Sequence, residues 1–222
     1  PGELVLDSRT IGELAHAALD AIAKEAIRTG RAFADVLRAR GDAEAERELR
    51  TFLASWEIDL PPVLAEAAAA RLSGLLRAVA GLEAARGQPL PLAGTEVRFG
   101  PSAGLEVTAG DGCARASLAG RIDRLDRNGG LARVVDYKFA SPKPFGKTNR
   151  KGWRIVGGEK VQLAAYALAA RSLGATEVSS EYLFVSPGKK GGPPEAVSVT
   201  FDAAATEEAV ASFHHVVGLL DA

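Results

Sequence analysis

Residues 120 to 140 read GRIDRLDRNGGLARVVDYKFA, two strand-like runs joined through a glycine-bearing turn. Asn128-Gly129 and Gly129-Gly130 are both two-residue hairpin signals, and each fixes a register. The first places Asp123 opposite Val134, and the second places it opposite Asp136. Side chains alternate along a strand, so in either register Asp123, Asp136 and Lys138 fall on one sheet face. Neighbouring positions there lie roughly 5 to 8 Å apart. Charged side chains are seldom buried without a partner. The face is therefore either solvated or holds something.

Two carboxylates that close repel unless a proton or a cation lies between them. Oxygen-rich pairs suit Mg²⁺ or Mn²⁺, which accept one or two carboxylates together with water and substrate phosphate. Lys138 would point a third charge at the same place. Such a set suits phosphodiester hydrolysis, in which a metal activates water and a cation steadies the developing charge. The plainer alternative is a solvated face on which Lys138 pairs with Asp136.

The surroundings of this hairpin set the fold class. Apolar residues from Ile11 to Ile27 recur at i, i+3, i+4 and i+7, one stripe of an amphipathic helix. Thr10 and Glu13 have capping-box spacing and predict its start, and Gly30 its end. A second helix is expected from the low thirties to Trp56, broken near Gly41. An alanine-rich third helix is expected after Pro61 and Pro62, to about Gly81 or Gly87. From Gly94 the pattern turns strand-like through TEVRFG, GLEVTAG, CARASLAGRIDRLD and LARVVDYKFA. A helix from about Glu159 to Ser172, strands SSEYLFV and EAVSVTF, and a closing helix follow. The expectation is a single α/β (α+β) domain over residues 1–222, with a helical region to about residue 90 and a sheet-containing core from 91.

Composition narrows the options. The chain is 47% hydrophobic with net charge −1, so a nucleic-acid partner must be argued from local clusters. Cys113 is the single cysteine, which excludes an internal disulfide and any all-cysteine metal or iron–sulfur site within the chain. That suits a reducing, cytoplasmic location. No apolar run reaches membrane-spanning length. The chain begins at Pro1 and has no methionine, and it is expected to be part of a longer polypeptide.

The strongest local cluster lies between Lys143 and Lys160, where Lys147, Arg150, Lys151 and Arg154 surround Trp153. Basic residues interleaved with an aromatic suit a phosphate backbone with a stacked base, as in single-stranded DNA. The GKT at Gly146 to Thr148 is no P-loop, because Ser141 stands where that loop needs its first glycine.

Four motifs occur in one order: Gly12 with His16; Gly120-Arg121-Ile122-Asp123-Arg124-Leu125-Asp126; Val135-Asp136-Tyr137-Lys138; and Gln162 with Tyr166. Together they resemble the PD-(D/E)xK nuclease superfamily, in its RecB-like branch, over residues 10 to 170. The resemblance implies a restriction-endonuclease-like mixed sheet flanked by helices. It implies that Asp123 and Asp136 bind metal with His16, and that Lys138 assists catalysis. It also implies that Gln162 and Tyr166 support DNA or the metal site. Glu96 stands where relatives often carry an acid on an earlier strand. Asp126 closes its motif in a structural or a chemical role.

The function so implied is a Mg²⁺- or Mn²⁺-dependent deoxyribonuclease, an exonuclease of DNA repair or recombination acting on single strands or duplex ends. A helicase on the same or a partner polypeptide would accompany it. The alternatives are a DNA-binding or scaffolding domain with the same fold but no turnover, and a structural interaction domain with solvated hairpin charges.

Overall fold

A computed structural model describes residues 6–86, 90–110, 115–140, 161–186 and 192–219. The chain divides into two compact units, one of Pro1–Pro89, Tyr137–Pro142 and Leu183–Ser198, the other of Leu90–Asp136, Lys143–Tyr182 and Val199–Ala222.

The first unit is built on three mutually packed helices, α1 (Ser8–Thr29), α2 (Phe33–Ser55) and α3 (Pro62–Ala85). The apolar stripe of α1 is buried from Ile11 to Ala26, as its periodicity predicts. Each large aliphatic in it contributes about 1.5 to 3 kcal/mol. The helix starts earlier than the Thr10–Glu13 spacing implies. Asp7 is its cap and accepts the Thr10 N–H at 2.7 Å, while Glu13 is drawn to Arg9 instead. Gly30 ends it in the left-handed region, with φ 66°.

The expected break at Gly41 is absent, and α2 is continuous. Gly41 is buried, and a Cβ there would stand 3.7 Å from Leu37 and from Leu76 of α3. Packing between α2 and α3 outweighs glycine's cost of about 1 kcal/mol within a helix. Gly81 does not end α3 either, which continues to Ala85.

The sheet has five strands in the order β1-β4-β5-β6-β7: β1 (Leu92–Phe99), β4 (Gly120–Asn128), β5 (Leu131–Lys138), β6 (Glu177–Ser186) and β7 (Glu195–Phe201). It is a mixed sheet, and with its helices and helical N-terminal region it matches a restriction-endonuclease-like fold. Burial follows position. β6 is buried at nearly every residue, as a central strand covered on both faces must be, whereas the outer strands β1 and β7 are half-exposed. The described part of the CARASLAGRIDRLD run, from Arg115 to Asp126, is not one strand. A short β3 (Ala116–Leu118) leaves the sheet to pair with β2 (Val107–Ala109). Within the second unit, α4 (Val161–Ser172) packs on β2, β4 and α5 (Ala203–Gly218).

The hairpin takes the second register. Asn128 faces Leu131 and Arg124 faces Val135, so Gly129 and Gly130 form the turn. Gly129 has φ 59°, a conformation that Asn128 would adopt at greater cost. The pairing runs from Asn128–Leu131 to Arg124–Val135, and the same register continued by one residue would bring Asp123 level with Asp136.

Candidate active site

The β4 strand carries acids on both of its faces, three residues apart. Asp126 is fully buried and saturated. It accepts from Arg124 Nε and Nη2 at 2.7 and 3.0 Å and from Arg133 Nε at 3.0 Å. Arg133 also approaches the buried Glu181 at 4.0 Å. Bidentate guanidinium pairs of this kind are a structural solution for a buried charge. The sequence left Asp126 between two roles, and its surroundings are those of a scaffold.

Asp123 lies on the other face, half-buried, in different company. Glu96 stands opposite it on β1, between the pairs Thr95–Arg124 and Val97–Ile122. Carboxylate oxygens of Glu96 and Asp123 lie within 4.8 Å of each other. Thr95 Oγ1 donates to the Asp123 carbonyl at 3.0 Å and steadies the strand pair there. Glu96 adopts φ 51°, a left-handed conformation that costs a residue with a side chain about 1 to 3 kcal/mol. Its carboxylate also meets Arg121 Nε at 2.5 Å. A positive φ in a non-glycine residue leaves no mark in composition or periodicity, so this strain is visible only in the folded chain.

Asp136, on the neighbouring strand β5, is buried. The Tyr166 hydroxyl donates towards its Oδ1 at 3.5 Å and receives the Gln162 Nε2–H at 2.7 Å. Gln162 and Tyr166 thus share a helix face, as their i, i+4 spacing predicts, and that face is turned to an acid of the hairpin. Burial, then the charges of Asp136 and Asp123, push the Tyr166 phenol well above its ordinary value, so it stays a hydrogen-bond donor. Burial and then Asp136 do the same to Tyr182.

Gly120 has a specific use here. A Cβ there would stand 2.7 Å from the ring of Phe99, its cross-strand partner. The glycine lets that ring lie over β4 and meet Tyr166 edge-on at 6.1 Å. The motif glycine therefore seats the tyrosine that seats the acid.

In the first unit, His16 is half-buried on α1 and packs edge-on against Tyr137 at 6.2 Å and Phe139 at 5.2 Å. Gly12, one turn earlier, brings the helix against Phe139, since a Cβ there would touch it at 3.4 Å. Lys138 ends β5, two residues beyond Asp136 and so on the same strand face. Lys147, Arg150, Lys151, Trp153 and Arg154 lie outside the described residues. His214 accepts the Gly110 N–H at Nδ1 (2.8 Å) and ties α5 to the end of β2.

A family model described as the PD-(D/E)XK nuclease superfamily matches residues 3–221, nearly the whole chain. The chain belongs to that superfamily. No curated protein matches it. PD-(D/E)XK nucleases use divalent metals and act on DNA. The donors in the second unit fit such an ion, because two carboxylates this close form a hard-oxygen site whose mutual repulsion a cation relieves. No described helix is long and apolar enough to cross a membrane.

Proposed function

We propose that this PD-(D/E)XK chain is a metal-dependent deoxyribonuclease that hydrolyses DNA phosphodiester bonds. The observation that carries the reading is the approach of Glu96 and Asp123 on the strand beside Asp136, with Arg121 as an attendant cation. Asp123, Asp136 and Glu96 would hold Mg²⁺ or Mn²⁺, with His16 supplying an imidazole from α1. A bound divalent cation lowers the pKa of water and neutralises phosphate charge.

The remaining work falls to the protein. Tyr166 and Gln162 orient Asp136 through the hydroxyl hydrogen bond, and Phe99 braces the tyrosine ring. Lys138 offers an ammonium to the negative charge that builds on the phosphoryl oxygens, and its motif spacing from Asp136 supports this role. The basic segment with Lys147, Arg150, Lys151, Trp153 and Arg154 would track the DNA backbone and stack a base. The cellular reading that follows is an exonuclease of DNA repair or recombination in the cytoplasm, working with a helicase on the same or a partner polypeptide.

The test is cleavage of single- and double-stranded DNA in Mg²⁺ or Mn²⁺, with Asp136→Ala and Lys138→Ala measured alongside. The parent should cleave and both variants should lose at least about a hundredfold in rate. Equal cleavage by all three would trace the activity to a contaminant. Mn²⁺ and DNA binding without any turnover would favour a binding or scaffolding domain of the same fold.

A further inference from the structure

One step along the strands from the acid pair, Arg98 of β1 stands directly opposite Arg121 of β4. Arg121 lies two positions before Asp123, with Ile122 between, so the arginines lie on the same sheet face as the acids and roughly 7 Å away along it. Like charges directly opposed across a strand pair repel and weaken the pairing. Both side chains are exposed, Arg121 by 53%. Glu96 engages the Arg121 guanidinium at Nε and leaves its other N–H donors available. Among the described residues Arg98 has no acidic partner. A strand pair that sets two exposed arginines opposite each other, next to an acid pair, has the layout of an anion site beside a cation site.

We infer that Arg98 and Arg121 form a clamp for a DNA phosphate adjoining the metal site. The inference rests on the nuclease reading, and it adds a substrate subsite to it. Planar guanidinium forks bind phosphate oxygens in pairs, so two of them from adjacent strands would grip one phosphate group from both sides. The link through Glu96 gives the clamp a second property. A cation that takes the Glu96 carboxylate releases Arg121 Nε, so metal loading and phosphate binding favour each other.

The test has two arms. The first measures anisotropy of a fluorescent single-stranded oligonucleotide in Ca²⁺ across a salt series, for the parent, Arg98→Ala and Arg98→Lys. The clamp predicts a Kd about tenfold weaker for Arg98→Ala and a salt slope lower by about one charge. Arg98→Lys should recover the slope but only part of the affinity. Mn²⁺ binding by calorimetry reports that each variant remains folded. Parent-like binding and slope in Arg98→Ala would overturn the clamp while leaving the nuclease proposal intact.

The second arm titrates inorganic phosphate into protein with ¹⁵N-labelled arginine and follows the side-chain Nε–H signals by NMR. Saturable shifts at Arg98 and Arg121, larger with Mg²⁺ present, support the clamp even if the parent fails to cleave DNA. Absence of any saturable shift at Arg98 would refute it.

Discussion

The two faces of β4 hold the same residue type three positions apart, and they treat it in opposite ways. Asp126 has two arginines fitted to it and no access to water. Asp123 is half-exposed and faces another carboxylate across the strand pair. The first arrangement satisfies a charge from within the chain. The second gathers like charge at a surface that an ion can reach. Within one strand, the company an acid keeps separates scaffold from chemistry better than its place in a motif.

Substitution should separate the faces most sharply. Asp126→Ala strands two guanidinium groups in the interior and should cost about 3 to 5 kcal/mol of folding stability, measured by urea denaturation. Asp123→Ala should cost no more than about 1 kcal/mol, because it also removes repulsion from Glu96. The same variant should lose Mn²⁺ binding and at least about a hundredfold of any cleavage. Comparable stability losses at both positions would dissolve the distinction.

A second contrast lies in alkali. Burial and Asp136 raise the phenol pKa values of Tyr166 and Tyr182 above the ordinary 10.0. The unfolded chain therefore releases these protons first. Their contribution is complete below pH 10 and falls as pH rises beyond it, by about 1.4 kcal/mol per pH unit for each phenol. Tyr166→Phe should be less stable near neutrality but should decline less steeply above pH 10. Parallel slopes for parent and variant would place the Tyr166 hydroxyl outside the influence of the acids.

Glu96 allows stability and metal affinity to be set against each other. Glu96→Gly relieves the left-handed backbone and removes a carboxylate whose ion pair with Arg121 is largely exposed on the arginine side. Stability should rise by about 1 kcal/mol, while Mn²⁺ affinity should fall about tenfold. A variant that loses stability instead would show that Glu96 belongs with Asp126 as a structural acid.

Much of this contrast could be read from the amino acids, and the remainder depended on pairing between strands. The hairpin, the shared face of Asp123 and Asp136, the Gln162–Tyr166 face and the strand at Glu195–Phe201 follow from alternation and helical spacing. The register did not, because Asn128-Gly129 and Gly129-Gly130 are both sound turns and only the folded ladder selects between them. Gly41 suggested a break because intrinsic propensity is local, whereas its packing against Leu76 is not. The Asp126 network needs Arg133 from the facing strand, and the opposition of Arg98 and Arg121 needs the β1–β4 register. Neither alignment is visible in a linear pattern.

The smallest expected effect applies one substitution to both faces. Arg133 is 13% exposed and reaches Asp126 through Nε and Nη2 as a planar fork. Lysine has a single ammonium on a flexible stem and cannot reproduce that geometry, so Arg133→Lys should cost about 1 to 2 kcal/mol. Arg121 meets Glu96 through one nitrogen and is half in water, so Arg121→Lys should cost less than about 0.5 kcal/mol. Added salt should erase the Arg121 difference and leave most of that at Arg133, because screening acts on solvated pairs and barely reaches buried ones. If both variants were equally destabilised and equally salt-sensitive, the two faces would be electrostatically alike, and the assignment of chemistry to the Asp123 side would lose its physical basis.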